Sequence, residues 1–120
     1  MTRVPEPAAP TATEDHVVVV LCTAPSREVA AALAEGAVRA RLAACVNLVE
    51  GVRSFYMWDG ALCDELEVQL VLKTTRAHAP ALSAHLAHAH PYDVPEVLVL
   101  DTDPVSSSAA YQRFVRDGVG

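Results

Sequence analysis

Two arms of alternating apolar and polar residues meet at Asp59-Gly60, and the span from Asn47 to Thr75 reads as a single long β-hairpin. Asp-Gly between such arms is the chemistry of a tight hairpin turn, which needs φ > 0 at both central residues. Val52, Ser54, Tyr56 and Trp58 share one face of the outgoing arm, and Arg53, Phe55 and Met57 the other. On the return arm Leu66, Val68, Leu70 and Leu72 oppose Glu65, Glu67, Gln69, Val71 and Lys73. Each arm is roughly 12–14 residues, about twice the common strand length. A ribbon of that reach outruns any sheet the remaining residues can build. Its overhang must bury its apolar face and pair its edges elsewhere. The expected partner is a second copy of the same chain.

The rest of the composition narrows the class. A chain of 120 residues with 52% apolar and 20% charged residues supports one domain and a modest core. The net charge of −6, with Lys73 as the sole lysine, excludes a basic nucleic-acid patch. No stretch reads as a signal peptide or a membrane span, so no membrane association is expected. Cys22, Cys45 and Cys63 form neither an even set nor a C-x-x-C pair, which fits a reducing cytoplasm.

Residues 1–15, rich in Pro, Ala, Thr and acid, read as a disordered tail before a domain over 16–120. The apolar run through Val17 to Cys22 reads as a central strand buried on both faces. Ser26 is placed to cap a helix with Glu28 in its first turn, and the stripe Ala30, Leu33, Ala34, Ala37, Val38 carries that helix to about Leu42. Gly36 within it is expected to let the helix approach the sheet closely. Gly51 marks a bulge in the hairpin. A second helix runs from about His78 to Ala89, with Pro80 in its first turn, Leu82, Leu86 and Ala89 inward, and Pro91 beyond its end. Val94 to Leu100 reads as a fourth strand, and Ser106 to Arg116 as a short helix with Tyr111, Phe114 and Val115 on one side. This βαββαβ order with a terminal helix predicts an α+β, ferredoxin-like split βαβ sandwich. Its antiparallel sheet would have the order 4-1-3-2, with both main helices on one face.

That topology brings Cys22, Glu67 and His90 to one end of the sheet. A thiolate, an imidazole and a carboxylate together suit copper or another borderline-soft divalent ion. Each residue also has a plain structural reading: Cys22 as a small buried apolar residue, His90 as a capping residue before Pro91, Glu67 as a solvent or interface carboxylate. His85 and His88 share a helical face at i, i+3, and Tyr56 and Trp58 read as packing anchors or as a ligand platform. No nucleophile elbow, P-loop or dinucleotide fingerprint is present, so no catalytic residue is assigned and the chain is not expected to be an enzyme.

Five segments, taken in order, resemble the CutA divalent-cation tolerance proteins: Val18 to Pro25, Arg41 to Asn47, Tyr56 to Gly60, Leu72 to Thr75 and His90 to Glu96. The resemblance spans about His16 to Arg116. It implies a ferredoxin-like subunit in a tight homotrimer, with strands pairing across subunits, a cytoplasmic setting, and a link to copper and divalent metals. Copper ligands in that family are the Cys ending the first strand and two adjacent His before Pro-Tyr. Cys22 and His90 match, and Ala89 stands where the other His would be. Two functions follow as expectations. The first is a homotrimeric protein of metal binding and metal response. The second is a non-metal trimer similar to the PII signalling proteins, with a small ligand or partner protein in the clefts between subunits.

Overall fold

The computed structural model describes residues 15–120, so the tail expected over residues 1–15 lies, Asp15 apart, outside the described residues. The elements are β1 (Val17–Ala24), α1 (Arg27–Arg39), β2 (Cys45–Trp58), β3 (Ala61–Thr75), α2 (Ala79–Ala89), β4 (Leu98–Asp101) and α3 (Ala109–Gly118). They build an α+β fold around one antiparallel four-stranded sheet in the order β2-β3-β1-β4, which is the 4-1-3-2 order read from the opposite edge.

Alternation along the central pair decides where the core lies. Val18, Val20, Cys22 and Ala24 of β1 and Val68, Leu70, Leu72 and Thr74 of β3 point to the same face and are buried. Ala30, Leu33 and Ala37 of α1 and Leu82 and Leu86 of α2 close over that face, so both helices share one core. The opposite face of β1 is only half-buried at Val19 and Leu21, so the strand expected to be buried on both faces is fully covered on one. Helix α3 rests against β1 and β3.

Helix ends differ from the sequence reading for local reasons. Ser26 caps α1 as expected, its hydroxyl accepting from the Val29 amide at 3.2 Å. The helix stops at Arg39 rather than near Leu42, because Arg41 turns left-handed (φ 58°). The amides of Arg41 and Leu42 then bond back to the carbonyls of Val38 and Ala37, a Schellman closure without glycine. Leu42 prolongs the apolar stripe but serves that closure. Gly36 faces α2 rather than the sheet: a Cβ there would sit 3.2 Å from His85 Nε2, so glycine sets the approach of the two helices. In α2 the buried positions are Ala79, Leu82 and Leu86, while Ala89 is exposed. In α3 Val115 and Gln112 turn inward and Tyr111 and Phe114 outward. Strand β4 is shorter than the expected Val94–Leu100, and Pro95 lies in the preceding loop. The ladder to β1 begins at Leu98.

The hairpin is as long as its pattern implies, with 14 and 15 residues in its arms. Asp59 (φ 51°) and Gly60 (φ 77°) make its turn, and Gly51 (φ 77°) sits in the bulge between Val49 and Val52. Only Val68–Thr75 of β3 also pairs with β1. The remaining Ala61–Glu67 pairs with Val52–Trp58 alone, so the ribbon projects by roughly 23 Å at 3.3 Å per residue. The radius of gyration is 17.0 Å, against roughly 13 Å for a compact 100-residue domain.

Leu70 has no exposed surface and sits between both helices and the sheet. Leu70→Ala should lower unfolding free energy by about 2–5 kcal/mol, read from denaturant titration, since the surrounding strands cannot collapse into the cavity.

Candidate functional site

Three elements converge where the ribbon leaves the sheet: the end of β1, the start of β3's shared half and the loop after α2. The backbone carbonyl of Thr23 is the hub. His90 Nε2 lies 2.7 Å from it, and His90 Nδ1 lies 3.1 Å from the amide of Tyr92. Because Nδ1 faces an N–H donor, it accepts, and the ring proton sits on Nε2 and is donated to Thr23. Pro91 drives this arrangement, holding His90 extended (ψ 141°) at the end of α2 so that the ring folds back over β1. The rings of His90 and Tyr92 are 4.7 Å apart, and Tyr92 Oη donates to Glu67 Oε2 at 3.1 Å. A continuous chain of contacts therefore runs from Thr23 through His90 and Tyr92 to Glu67.

Cys22 and Glu67 are at the expected end of the sheet, and His90 is beside them. They do not share a face. Cys22 pairs across from Leu70 and points into the helical core, whereas Glu67 points to the other side, with Thr23. Cys22 has no exposed surface. Burial first, then the charges of Glu96 and Glu67, push its thiol from 9.0 up to about 11. As they stand these donors are not free for a metal ion: the sulfur is protonated and enclosed, and both His90 nitrogens are already bonded. Among the described residues no group of three or more His, Cys, Asp or Glu side chains is placed to hold one. His88 is exposed on α2, and His85 is turned toward Gly36.

Beside this chain lies a cleft of about 470 Å³ on the sheet face opposite the main helices. Tyr56 and Trp58 of β2 and Glu65 and Glu67 of β3 form its floor, all on one side of the ribbon by register. Tyr92 and Glu96 of the loop before β4 form its wall. The Tyr92 hydroxyl is raised to about 12, by burial first and then by its bond to Glu67 and the nearby carboxylates. Tyr56 is also raised to about 12, by local desolvation first and then by Glu65. In both, desolvation leads and the neighbouring carboxylates add to it. Sequence reasoning singled out Tyr56, Trp58 and Glu67 but missed Glu65, Tyr92 and Glu96 as a set. The Pro91-Tyr92 step after a helix was the available signal, and only the folded loop places it over β3.

Comparison with known proteins follows the same lines. The family model described as CutA1 divalent ion tolerance protein matches residues 18–118. The Divalent-cation tolerance protein CutA of Pectobacterium atrosepticum is 51% identical over 89 residues, covering 74% of this chain and 78% of that protein. Its counterpart in Escherichia coli is 49% identical over 94 residues, covering 74% and 84%. Among solved structures, the divalent cation tolerance protein (Cut A1) of Thermus thermophilus superposes with TM-score 0.81 at 39% identity, covering 87% of this chain and 99% of that one. CutA1 of Oryza sativa superposes with TM-score 0.83 at 33% identity, covering 88% and 94%. Sequence and fold agree, and the chain belongs to the CutA1 divalent ion tolerance family.

Proposed function

We propose that this chain works in the cytoplasm as a homotrimeric metal-response protein, binding copper or another divalent ion rather than catalysing a reaction. The observation that carries the assembly is the projecting ribbon. On one face Phe55, Met57, Leu62 and Leu66 are between 60% and 72% exposed in the isolated chain. Strand β4 adds exposed Leu98, Val99 and Leu100 at the opposite sheet edge. An apolar ribbon and a bare apolar edge on one molecule are complementary surfaces, and a closed ring of copies satisfies both. The ferredoxin-like chain order is consistent with such a ring. The non-catalytic reading is supported by Cys22, which is enclosed and protonated, the opposite of an activated nucleophile.

Copper contact in this reading is through Cys22 and His90, with Glu67 the third candidate. It requires His90 to release Thr23 or Tyr92, so affinity is set against the loss of those bonds. A second reading is favoured by the cleft: a PII-like trimer that holds a small ligand or partner in the clefts between its subunits, the metal link being indirect.

Light scattering at micromolar concentration should return three times the chain mass, and Leu66→Glu should dissociate the assembly. A stable wild-type monomer removes the trimer. Leu66→Ala discriminates further, since an exposed leucine is worth under about 0.5 kcal/mol while one buried between copies is worth about 2 kcal/mol or more.

Copper titration of wild type, Cys22→Ser and His90→Ala should show weaker binding in both variants. Equal affinity in all three would eliminate the site. Because the thiolate is the ligand and the thiol titrates near 11, wild-type affinity should rise with pH, by up to about tenfold per unit between pH 7 and 9.

Stability runs the other way. The folded thiol holds its proton more tightly than the unfolded one, so its contribution is complete below pH 9 and is lost as pH rises toward about 11. Denaturant titrations across that window should show the fall, and Cys22→Ala should flatten it.

A further inference from the structure

Glu67 is 8% exposed, and its carboxylate lines the cleft with a single hydrogen bond, from Tyr92 Oη. Glu65 and Glu96 line the same space. Among the described residues none of these three carboxylates forms an ion pair; Arg27, Arg53 and Arg76 pair instead with Glu50, Asp64 and Asp101. Carboxylates gathered in one cleft focus a negative potential that favours a bound cation. No basic side chain among the described residues lines the cleft to offset it. Three aromatic rings, Tyr56, Trp58 and Tyr92, line the cleft as well. Aromatic faces attract cations, and most strongly organic ones, whose weak hydration lets them leave water.

We infer that the cleft is a binding site for a small organic cation, an alkylammonium or guanidinium head held by Glu67 and flanked by Trp58, Tyr56 and Tyr92. The inference rests on the second reading above, that the cleft receives a ligand, and gives that ligand its chemistry. An inorganic divalent ion fits less well. Its ligands must converge on one point, and no three carboxylate, thiol or imidazole groups among the described residues do so. The aromatic walls would add nothing to it. The volume of about 470 Å³ lies within the range of small-molecule sites and exceeds what a bare ion needs. All the lining residues named here come from one chain.

Trp58 is the only tryptophan and sits in the cleft wall, so its emission reports occupancy directly. The experiment titrates the full chain with choline and with agmatine. The control ligand is the neutral carbon isostere of choline, in which tert-butyl replaces trimethylammonium. A saturable change in Trp58 emission is expected with both cations, with the isostere and Glu67→Gln each weaker by about tenfold or more. Gln still accepts the Tyr92 hydroxyl, so circular dichroism of Glu67→Gln should match wild type. Glu50→Gln, whose carboxylate pairs with Arg27 outside the cleft, should bind as wild type does. No saturable response up to tens of millimolar would overturn the inference, as would equal binding of the isostere or of Glu67→Gln. A Glu67-dependent response to magnesium or copper chloride alone, without one to the organic cations, would overturn it in favour of an inorganic site. The same titration on Cys22→Ser separates it from the copper reading: loss of copper binding with choline binding intact leaves this site standing alone. Failure of the trimer would appear in light scattering and leave the Trp58 response unchanged.

Discussion

The unequal lengths of β1 and β3 govern this molecule. Strand β3 has 15 residues and β1 has 8, so only half of β3 can be flanked on both sides. Over the shared half, Val68, Leu70 and Leu72 pair with β1 and lie under two helices, and the core follows from ordinary two-layer packing. Beyond Glu67 the ladder has only β2 for company. Every feature that sets this chain apart from a compact sandwich lies at that point or past it: the exposed apolar face, the bare strand edges and the cleft. The Gly51 bulge sits near the junction, where the twist of a two-stranded ribbon departs from that of the four-stranded sheet.

The junction also shows how a histidine near a cysteine can be structural. His90 has two ring nitrogens and uses both, one to donate to Thr23 and one to accept from Tyr92. These bonds tie the end of α2 to the end of β1 and hold the loop that walls the cleft. Metal coordination and loop anchoring compete for the same atoms. In the copper reading proposed above, metal uptake would therefore be a conformational event and would carry a proton cost at Cys22, whose thiol is enclosed by the core. Cleft chemistry carries no such cost, because Glu67, Trp58 and Tyr56 already face open space.

Much of this was readable from residue order. Asp59-Gly60, Gly51 and the two alternating arms specify the hairpin and its bulge locally, through backbone conformations few other residues adopt. Ser26 and Pro91 mark helix boundaries for equally local reasons. Other boundaries were not readable. Leu42 continues an apolar stripe, yet its amide closes the helix rather than extending it. Val94 and Pro95 have strand-like neighbours, yet β1 offers pairing only from Leu98 onward. Ala89, Tyr111 and Phe114 keep helical spacing with inward residues, but the packing partners that decide inwardness come from other elements.

Residue order alone thus determined the elements, their sequence and the excess length of the ribbon, because periodicity, turn chemistry and capping act over a few residues. It also brought Cys22, Glu67 and His90 to one end of the sheet. Only the tertiary structure decided their relationship. The two-residue period of a strand sends Cys22 into the core and Glu67 to the opposite face, and the fold of 91–96 spends both nitrogens of His90 on the backbone. It decided, too, that three carboxylates and three aromatic rings from β2, β3 and a distant loop share one cleft. Such a site depends on contacts between residues far apart in sequence, and no local pattern encodes it.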